Sequence, residues 1–259
     1  LRIALVTQEE PFYLPPALDA LCRLRRSELV ALVILPSFNE SLPQTARRLY
    51  EFYGPRDFAR LCARFLGARL LDRANRLLPL TRPFSARDVA LRHRVPLLLP
   101  ANVNAPDFLD TLRREIRPDL IVSIAASQVF GSALLDVPQL GCINLHSAPL
   151  PRYQGMMPNF WTLLHQEPQA TVTVHHMAAQ LDAGDIILQR DVAVLPDDSL
   201  HDLMVRSKQI GVQAVDEAIG RLAAGTAPRR PMDPAQASYF SFPTRADARR
   251  LRAQGRRLL

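Results

Sequence analysis

Apolar residues come in short runs along this chain, separated by stretches with helical spacing. Ile3 to Thr7 and Leu29 to Leu35 have the length of buried strands. Between them, Pro15 to Leu24 repeats apolar residues at three and four positions behind a pair of prolines, the pattern of a helix start. This predicts a β-α-β opening. Val95 to Leu99 and Asp119 to Ala125 are further strands, with a helical segment from Asp107 to Ile116 between them. The apolar lead-in to Asn144 and His146 ends another strand, Thr171 to Met177 alternates like a strand, and Ser199 to Leu222 reads as a long helix behind a serine cap. Strands that alternate with helices predict an α/β fold, a Rossmann-like, mainly parallel sheet with helices on both faces and right-handed crossovers. Ligands of such sheets bind beyond the carboxyl ends of the strands.

One stretch departs from the alternation. From Leu42 to Leu78 the pattern is helical and basic, with Phe58, Leu61, Cys62, Phe65, Leu66 and Leu70 recurring among arginines. It reads as a helical insertion, about residues 42–80, packed on the core, with Arg82-Pro83-Phe84 ending it. After Gly225 the chain turns Pro- and Arg-rich, and Asp247 to Arg257 reads as a basic terminal helix or a frayed tail. The expected organisation is therefore one main unit over residues 1–225 and a short basic extension over 226–259.

The longest apolar run is of strand length, so no membrane-spanning helix is predicted. The N-terminus enters a strand without the features of a signal peptide, and a cytoplasmic protein is expected. Cysteines 22, 62 and 142 are odd in number and widely spaced, which argues for reduced thiols rather than disulfides or a zinc site. The net charge of +7 comes from a basic pool that is arginine throughout apart from Lys208, and it favours an anionic partner.

Thr7 to Pro11, after the first strand, carries neither a GxGxxG nor a Walker pattern, which disfavours dinucleotide and nucleoside-triphosphate chemistry. The informative residues come later. Asn144 and His146 are two apart on a strand, so both side chains leave on one face, roughly 6–7 Å apart along the backbone. An amide that can donate to an oxyanion beside an imidazole suits acyl transfer or hydrolysis. Asp182, in the turn Leu181-Asp182-Ala183-Gly184-Asp185, could hold and charge that imidazole.

Asn144-Leu145-His146-Ser147-Ala148-Pro149-Leu150-Pro151-Arg152-Tyr153-Gln154-Gly155, then Thr171-Val172-Thr173-Val174-His175 and Leu181-Asp182-Ala183-Gly184-Asp185-Ile186, resembles the catalytic domain of formyltransferases that use 10-formyltetrahydrofolate. That family includes the glycinamide ribonucleotide, methionyl-tRNA and nucleotide-sugar N-formyltransferases. The resemblance runs from about Val95 to Val194 and more faintly through the first two strands. It implies a formyltransferase fold over residues 1–225, 10-formyltetrahydrofolate as co-substrate, no metal, and Asn144, His146 and Asp182 as the catalytic trio. Asn144 and a protonated His146 would stabilise the oxyanion, and Asp182 would orient the imidazole. It places folate against Gln128, Val129 and Phe130 and against the loop from Ala178 to Gly184.

The acceptor side is implied less directly. Tyr153, Gln154, Trp161 and His175 fall at matching positions, Trp161 within Gly155-Met156-Met157-Pro158-Asn159-Phe160-Trp161, a segment that looks most like the sugar-modifying branch. Gln154 stands where the family commonly has arginine, and Ser147-Ala148-Pro149 replaces the commoner Pro-Ser-Leu. Ala178-Ala179 stands where Asp-Glu is frequent, and His176 matches no family position. The tRNA enzymes carry a C-terminal β-barrel, for which the roughly 35 residues after Gly225 are too few. The expected partner is a small-molecule amine, an amino sugar on a nucleotide or other anionic carrier. Nucleic acid is disfavoured and a homo-oligomer is left open. Two alternatives stand beside it: a non-catalytic folate or nucleotide-sugar binding module of the same fold, and a methionyl-tRNA formyltransferase-like enzyme.

Overall fold

A computed structural model describes residues 1–36, 41–78 and 82–259, apart from the side chain of Arg76. The elements begin with β1 (Ile3–Gln8), α1 (Leu14–Leu24), β2 (Leu29–Leu35), α2 (Leu42–Leu77), α3 (Ala86–His93), β3 (Leu97–Leu98) and α4 (Pro106–Thr111). α4 widens into a π turn at Leu112–Ile116 before β4 (Leu120–Ile124), α5 (Ser132–Leu135), β5 (Cys142–His146), β6 (Gln154–Gly155) and α6 (Pro158–Leu164). The chain closes with β7 (Gln169–His176), β8 (Ile186–Ala193), α7 (Leu200–Ala223), β9 (Tyr239–Phe240) and α8 (Arg245–Ala253).

Seven strands form the main sheet in the order β3-β2-β1-β4-β5-β7-β8. The pairs from β3 through β5 are parallel, and β7 and β8 join antiparallel. Side-chain alternation on the strands supplies both faces with apolar groups. Ile3 and Leu5 enter one buried cluster with α1, α3 and α7, while Ala4 and Val6 enter a second with Phe108, Leu109 and Leu112. The strand order reverses direction between β1 and β4, which is where open α/β sheets present a ligand crevice.

The insertion is helical but only partly packed. Gly54, at φ 72°, breaks α2, and Pro55 starts the second half, where a missing N–H is tolerated. Phe52 and Tyr53 are buried beside the break, and Phe58 and Leu61 reach the core. Cys62, Phe65, Leu66 and Leu70 remain exposed, while the end of the helix is tied back to α3, where Asn75 is buried and donates to the Asp88 carboxylate. Pro79 and Leu80, the last residues of the predicted insertion, lie outside the described residues.

Residues 226–259, read from sequence as a basic extension, return to the same body. β9 pairs in parallel with β6, and Ala248, Leu251 and Leu258 are buried in the larger cluster. The terminal segment is a capped helix rather than a frayed tail. Thr244 accepts from the Asp247 N–H while the Asp247 carboxylate accepts from the Thr244 N–H, which satisfies two end donors. Among the described residues no helix is long and apolar enough to cross a membrane.

Candidate active site

The crevice at the carboxyl ends of β1, β4 and β5 is a cavity of about 580 Å³, in the range of small-molecule sites. Asn144 and His146 leave β5 on the same side and both line it. Pairing with β7 sets Asn144 opposite His175, and the Asn144 Nδ2 lies 3.3 Å from His175 Nε2. Asp182 reaches the same point from the loop after β7, with Oδ2 3.7 Å from His146 Nδ1 and Oδ1 3.8 Å from His175 Nε2. The four side chains form one polar cluster in a largely apolar wall.

Hydrogen bonds to carbonyl oxygens fix which nitrogen of each imidazole carries a proton, because a carbonyl only accepts. His146 Nε2–H donates to the Tyr153 carbonyl at 2.8 Å, so its Nδ1 is the nitrogen left to face Asp182. His175 Nδ1–H donates to the His176 carbonyl at 2.8 Å, so its Nε2 accepts from the Asn144 amide. One N–H of Asn144 is thereby engaged, and the second stays available. Burial lowers the His175 pKa to about 4, and the charge that His146 can carry pushes the same way while Asp182 opposes. His175 is therefore a neutral acceptor that orients Asn144.

Asp182 adopts a left-handed backbone, φ 51°, and is held from several directions. Its Oδ2 accepts from the Gly155 N–H at 3.0 Å, and its own carbonyl accepts from the Gln154 side-chain amide at 2.9 Å. Gly184 lets the loop lie against β7: a Cβ there would stand 1.9 Å from the His176 carbonyl oxygen. The His176 N–H in turn donates to the Asp185 carbonyl at 2.8 Å, so strand and loop are clamped together.

Of the residues expected around folate, Gln128, Val129, Phe130 and Ala178 line the cavity, while Gly184 does not. Gln128 spends its side chain elsewhere, accepting from the Val103 N–H and donating to the Ala101 carbonyl, which leaves its backbone for a ligand. Phe130 is buried and Val129 is exposed at the rim. This half of the cavity is an apolar slot edged by backbone, which suits a flat heteroaromatic ring.

The residues expected on the acceptor side are placed differently. Tyr153 and Gln154 sit behind the wall: Tyr153 supplies the carbonyl under His146, and its hydroxyl donates to Glu167 at 2.7 Å. Gln154 anchors the Asp182 loop as described. Trp161 is packed, its indole N–H shared between the carbonyls of Met156 and Ser241 at 3.1 and 3.2 Å, and it contributes no lining. Of the four, only His175 faces the cavity. The wall is made instead by Met156 and Met157, from the segment that the sequence marked, together with Gln8, Arg48, Lys208, Tyr239 and Phe242, which carry no role in the sequence reading. Lys208 carried a signal, as a solitary lysine at the end of a Leu200, Met204, Lys208 stripe of i, i+4 spacing. All three cysteines are free, Cys22 and Cys142 buried and Cys62 exposed.

A family model described as formyl transferase matches residues 72–219. This chain belongs to the formyl transferase family. Over 157 residues it is 37% identical to the methionyl-tRNA formyltransferase of Geobacter metallireducens, a match that covers 61% of this chain and 50% of that protein. Over 150 residues it is 39% identical to that of Syntrophus aciditrophicus, covering 58% and 48%. The chain thus spans about half the length of the curated relatives it matches. Among solved structures, the phosphoribosylglycinamide formyltransferase of Anaplasma phagocytophilum superposes with a TM-score of 0.61 at 16% identity, covering 94% of this chain and 99% of that one. A sugar N-formyltransferase from a Shewanella species gives 0.59 at 15% identity, covering 93% and 77%. The fold is that of the formyltransferases.

Proposed function

We propose that this chain transfers a formyl group from 10-formyltetrahydrofolate to a primary amine, with Asn144, His146 and Asp182 at the reacting centre. The observation that carries it is the convergence of the Asn144 amide, the His146 Nδ1 and the Asp182 carboxylate at one end of an apolar slot. The folate supplies an activated formyl group at that end. The free N–H of Asn144 and a protonated His146 Nδ1 receive the negative charge that develops on the formyl oxygen as the amine attacks. His146 Nδ1–H then has a carboxylate beside it to hold its charge, and it is the group placed to return a proton to the departing folate nitrogen. The amine loses its proton to water or to Asp182 as the carbon–nitrogen bond forms. His175 keeps the Asn144 amide turned so that nitrogen, not oxygen, faces the substrate.

For the acceptor, the curated relatives support the amine of an aminoacyl group on tRNA, since they are methionyl-tRNA formyltransferases. That reading stands ahead of the amino sugar favoured by the sequence alone. One observation favours the second class: Tyr239 and Phe242, from the returning C-terminal segment, line the cavity, whose volume of about 580 Å³ is that of a small-molecule site. The test is incubation with 10-formyltetrahydrofolate and both classes, methionyl-tRNA and a panel of nucleotide-linked amino sugars, read by mass as the gain of one formyl group. Whichever class gains the group names the acceptor. An untouched donor with every amine, in a protein that binds folate, would end the proposal in favour of a binding module.

A further inference from the structure

The acceptor half of the cavity contains a cation that the proposed chemistry does not use. Lys208 is the only lysine in the chain, against arginine at every other basic position. It lies on α7 below Leu200 and Met204, and the three residues form one helical face lining the cavity. Among the described residues none hydrogen-bonds to its ammonium. Glu10, on the loop after β1, attracts it without an ion-pair contact. The Glu10 carboxylate is occupied, accepting from the backbone N–H groups of Phe12, Tyr13 and Leu14 at 2.7, 2.7 and 3.1 Å. Arg48 lines the same wall, with its guanidinium 4.6 Å from the Phe242 ring centre. With Glu10 committed to backbone N–H groups, Lys208 brings positive charge to this wall.

Lys208 lines the cavity with no hydrogen-bond partner among the described residues, so an anion that enters there can pair with it without displacing a protein contact. Burial lowers the Lys208 pKa to about 8, with Glu10 opposing, so the side chain is still mostly cationic at neutral pH. We propose that Lys208 is a specificity-determining residue that binds a phosphate group carried by the amine acceptor. The proposal rests on the formyl-transfer reading for the position of the amine, which reacts at Asn144 while its phosphate is held on the α7 wall. A phosphate on this wall is chemistry shared by a nucleotide-linked amine and by the terminal phosphodiesters of a tRNA.

The solitary lysine makes the test direct. Protein grown on [ε-13C]lysine carries one labelled side chain, Lys208, whose signal is followed during titration with inorganic pyrophosphate, with uridine diphosphate and with an RNA microhelix ending in CCA. A saturable shift with pyrophosphate is expected. A further gain in affinity with uridine diphosphate assigns the phosphate to a nucleotide, and a gain with the microhelix assigns it to RNA. With the acceptor that is formylated, Lys208→Met should raise KM at least tenfold with kcat within about twofold, and Lys208→Arg should recover most of the loss. A signal unmoved by all three probes at millimolar concentration, or an unchanged KM in Lys208→Met, overturns the proposal. The titration uses the wild-type chain and needs no turnover, so it decides the matter even where Lys208→Met fails to fold. Asn144→Ala should lose turnover and keep the shift, which separates failure of the phosphate site from failure of the formyl-transfer reading.

Discussion

Gly184→Ala adds one methyl group at the point where the Asp182 loop lies against β7. The added carbon would stand 1.9 Å from the His176 carbonyl oxygen and 2.8 Å from its carbon, whereas ordinary contact begins near 3.4 Å. About 1.5 Å of movement is required, and both obstructing atoms are backbone in a paired strand, so the loop must yield. Gly184 is not in the left-handed region, so the penalty comes from crowding alone. Overpacking of this kind costs roughly 1–3 kcal/mol of stability, or a fall in Tm of about 2–10 °C for a chain of this size. The larger effect falls on the site, since Asp182, two residues away, is placed by a 3.0 Å bond from the Gly155 N–H and stands 3.7 Å from His146. A misplacement of about 1 Å costs on the order of a hundredfold in rate, about 2.7 kcal/mol of transition-state stabilisation. The assay pairs kcat/KM for formyl transfer with a thermal melt, using Gly220→Ala as control, because a Cβ there meets nothing closer than the Arg25 guanidinium at 3.6 Å. A Gly184→Ala protein with wild-type rate and melting temperature would refute the claim that this close approach positions Asp182.

Asp182→Asn preserves the shape of the loop and removes the charge beside His146, so formyl transfer should drop by roughly 10²–10⁴-fold, and wild-type turnover would remove Asp182 from the reacting centre. His175 is protonated near 6.5 in the unfolded chain and near 4 in the folded one, so the unfolded state binds more protons across that window. Stability should therefore be lost as pH falls from about 6.5 to about 4, on the order of 3 kcal/mol in all, and urea midpoints with the same slope in His175→Gln would contradict this. Trp161→Phe deletes the N–H shared by the Met156 and Ser241 carbonyls and should cost about 1–2 kcal/mol while leaving the acceptor KM unchanged; a raised KM would return Trp161 to the substrate side. Leu251→Ala opens a cavity beneath α8 and should cost about 2–5 kcal/mol in a single unfolding transition, whereas a neutral change would show the C-terminal helix to be dispensable.

Local features are legible in this sequence, and features that depend on strand pairing are not. β2 spans the residues its apolar run marks, and the period of two on β5 correctly sends Asn144 and His146 to one face. The neighbour of Asn144 depends on register. His175 sits opposite Asn144 because β7 pairs antiparallel at that offset, and no window of sequence contains that fact. The same holds for Tyr239 and Phe242, which reach the cavity through a two-residue strand pairing with Gln154 and Gly155. Trp161 lies off the cavity for a related reason. Its position after the Gly155 turn is near the site in sequence, yet within α6 its indole packs against Phe240, with ring centres 4.8 Å apart. In α2 the apolar spacing is real, but Phe65, Leu66 and Leu70 stay exposed while the polar Asn75 is buried, so periodicity shows a face without showing how much of it is covered.

The two imidazoles at the centre are locked in opposite senses, and the lock accounts for the role that the proposed reaction gives to an asparagine. His175 presents a lone pair to Asn144 only while it is neutral, and that lone pair holds the amide with nitrogen toward Nε2 and its second N–H toward the cavity. If His175 took a proton, Nε2 would become a donor and Asn144 would have to present its oxygen instead, withdrawing the N–H that the proposed reaction requires. A positive charge on His146 acts on His175 by lowering its pKa further, in the same direction as burial. In the proposed reaction, therefore, charging His146 strengthens the neutral state of His175 and so keeps Asn144 correctly turned. Asp182 lies 3.7 and 3.8 Å from the two rings, where it can support the charge on His146 without a close bond to His175 that would invite the second proton.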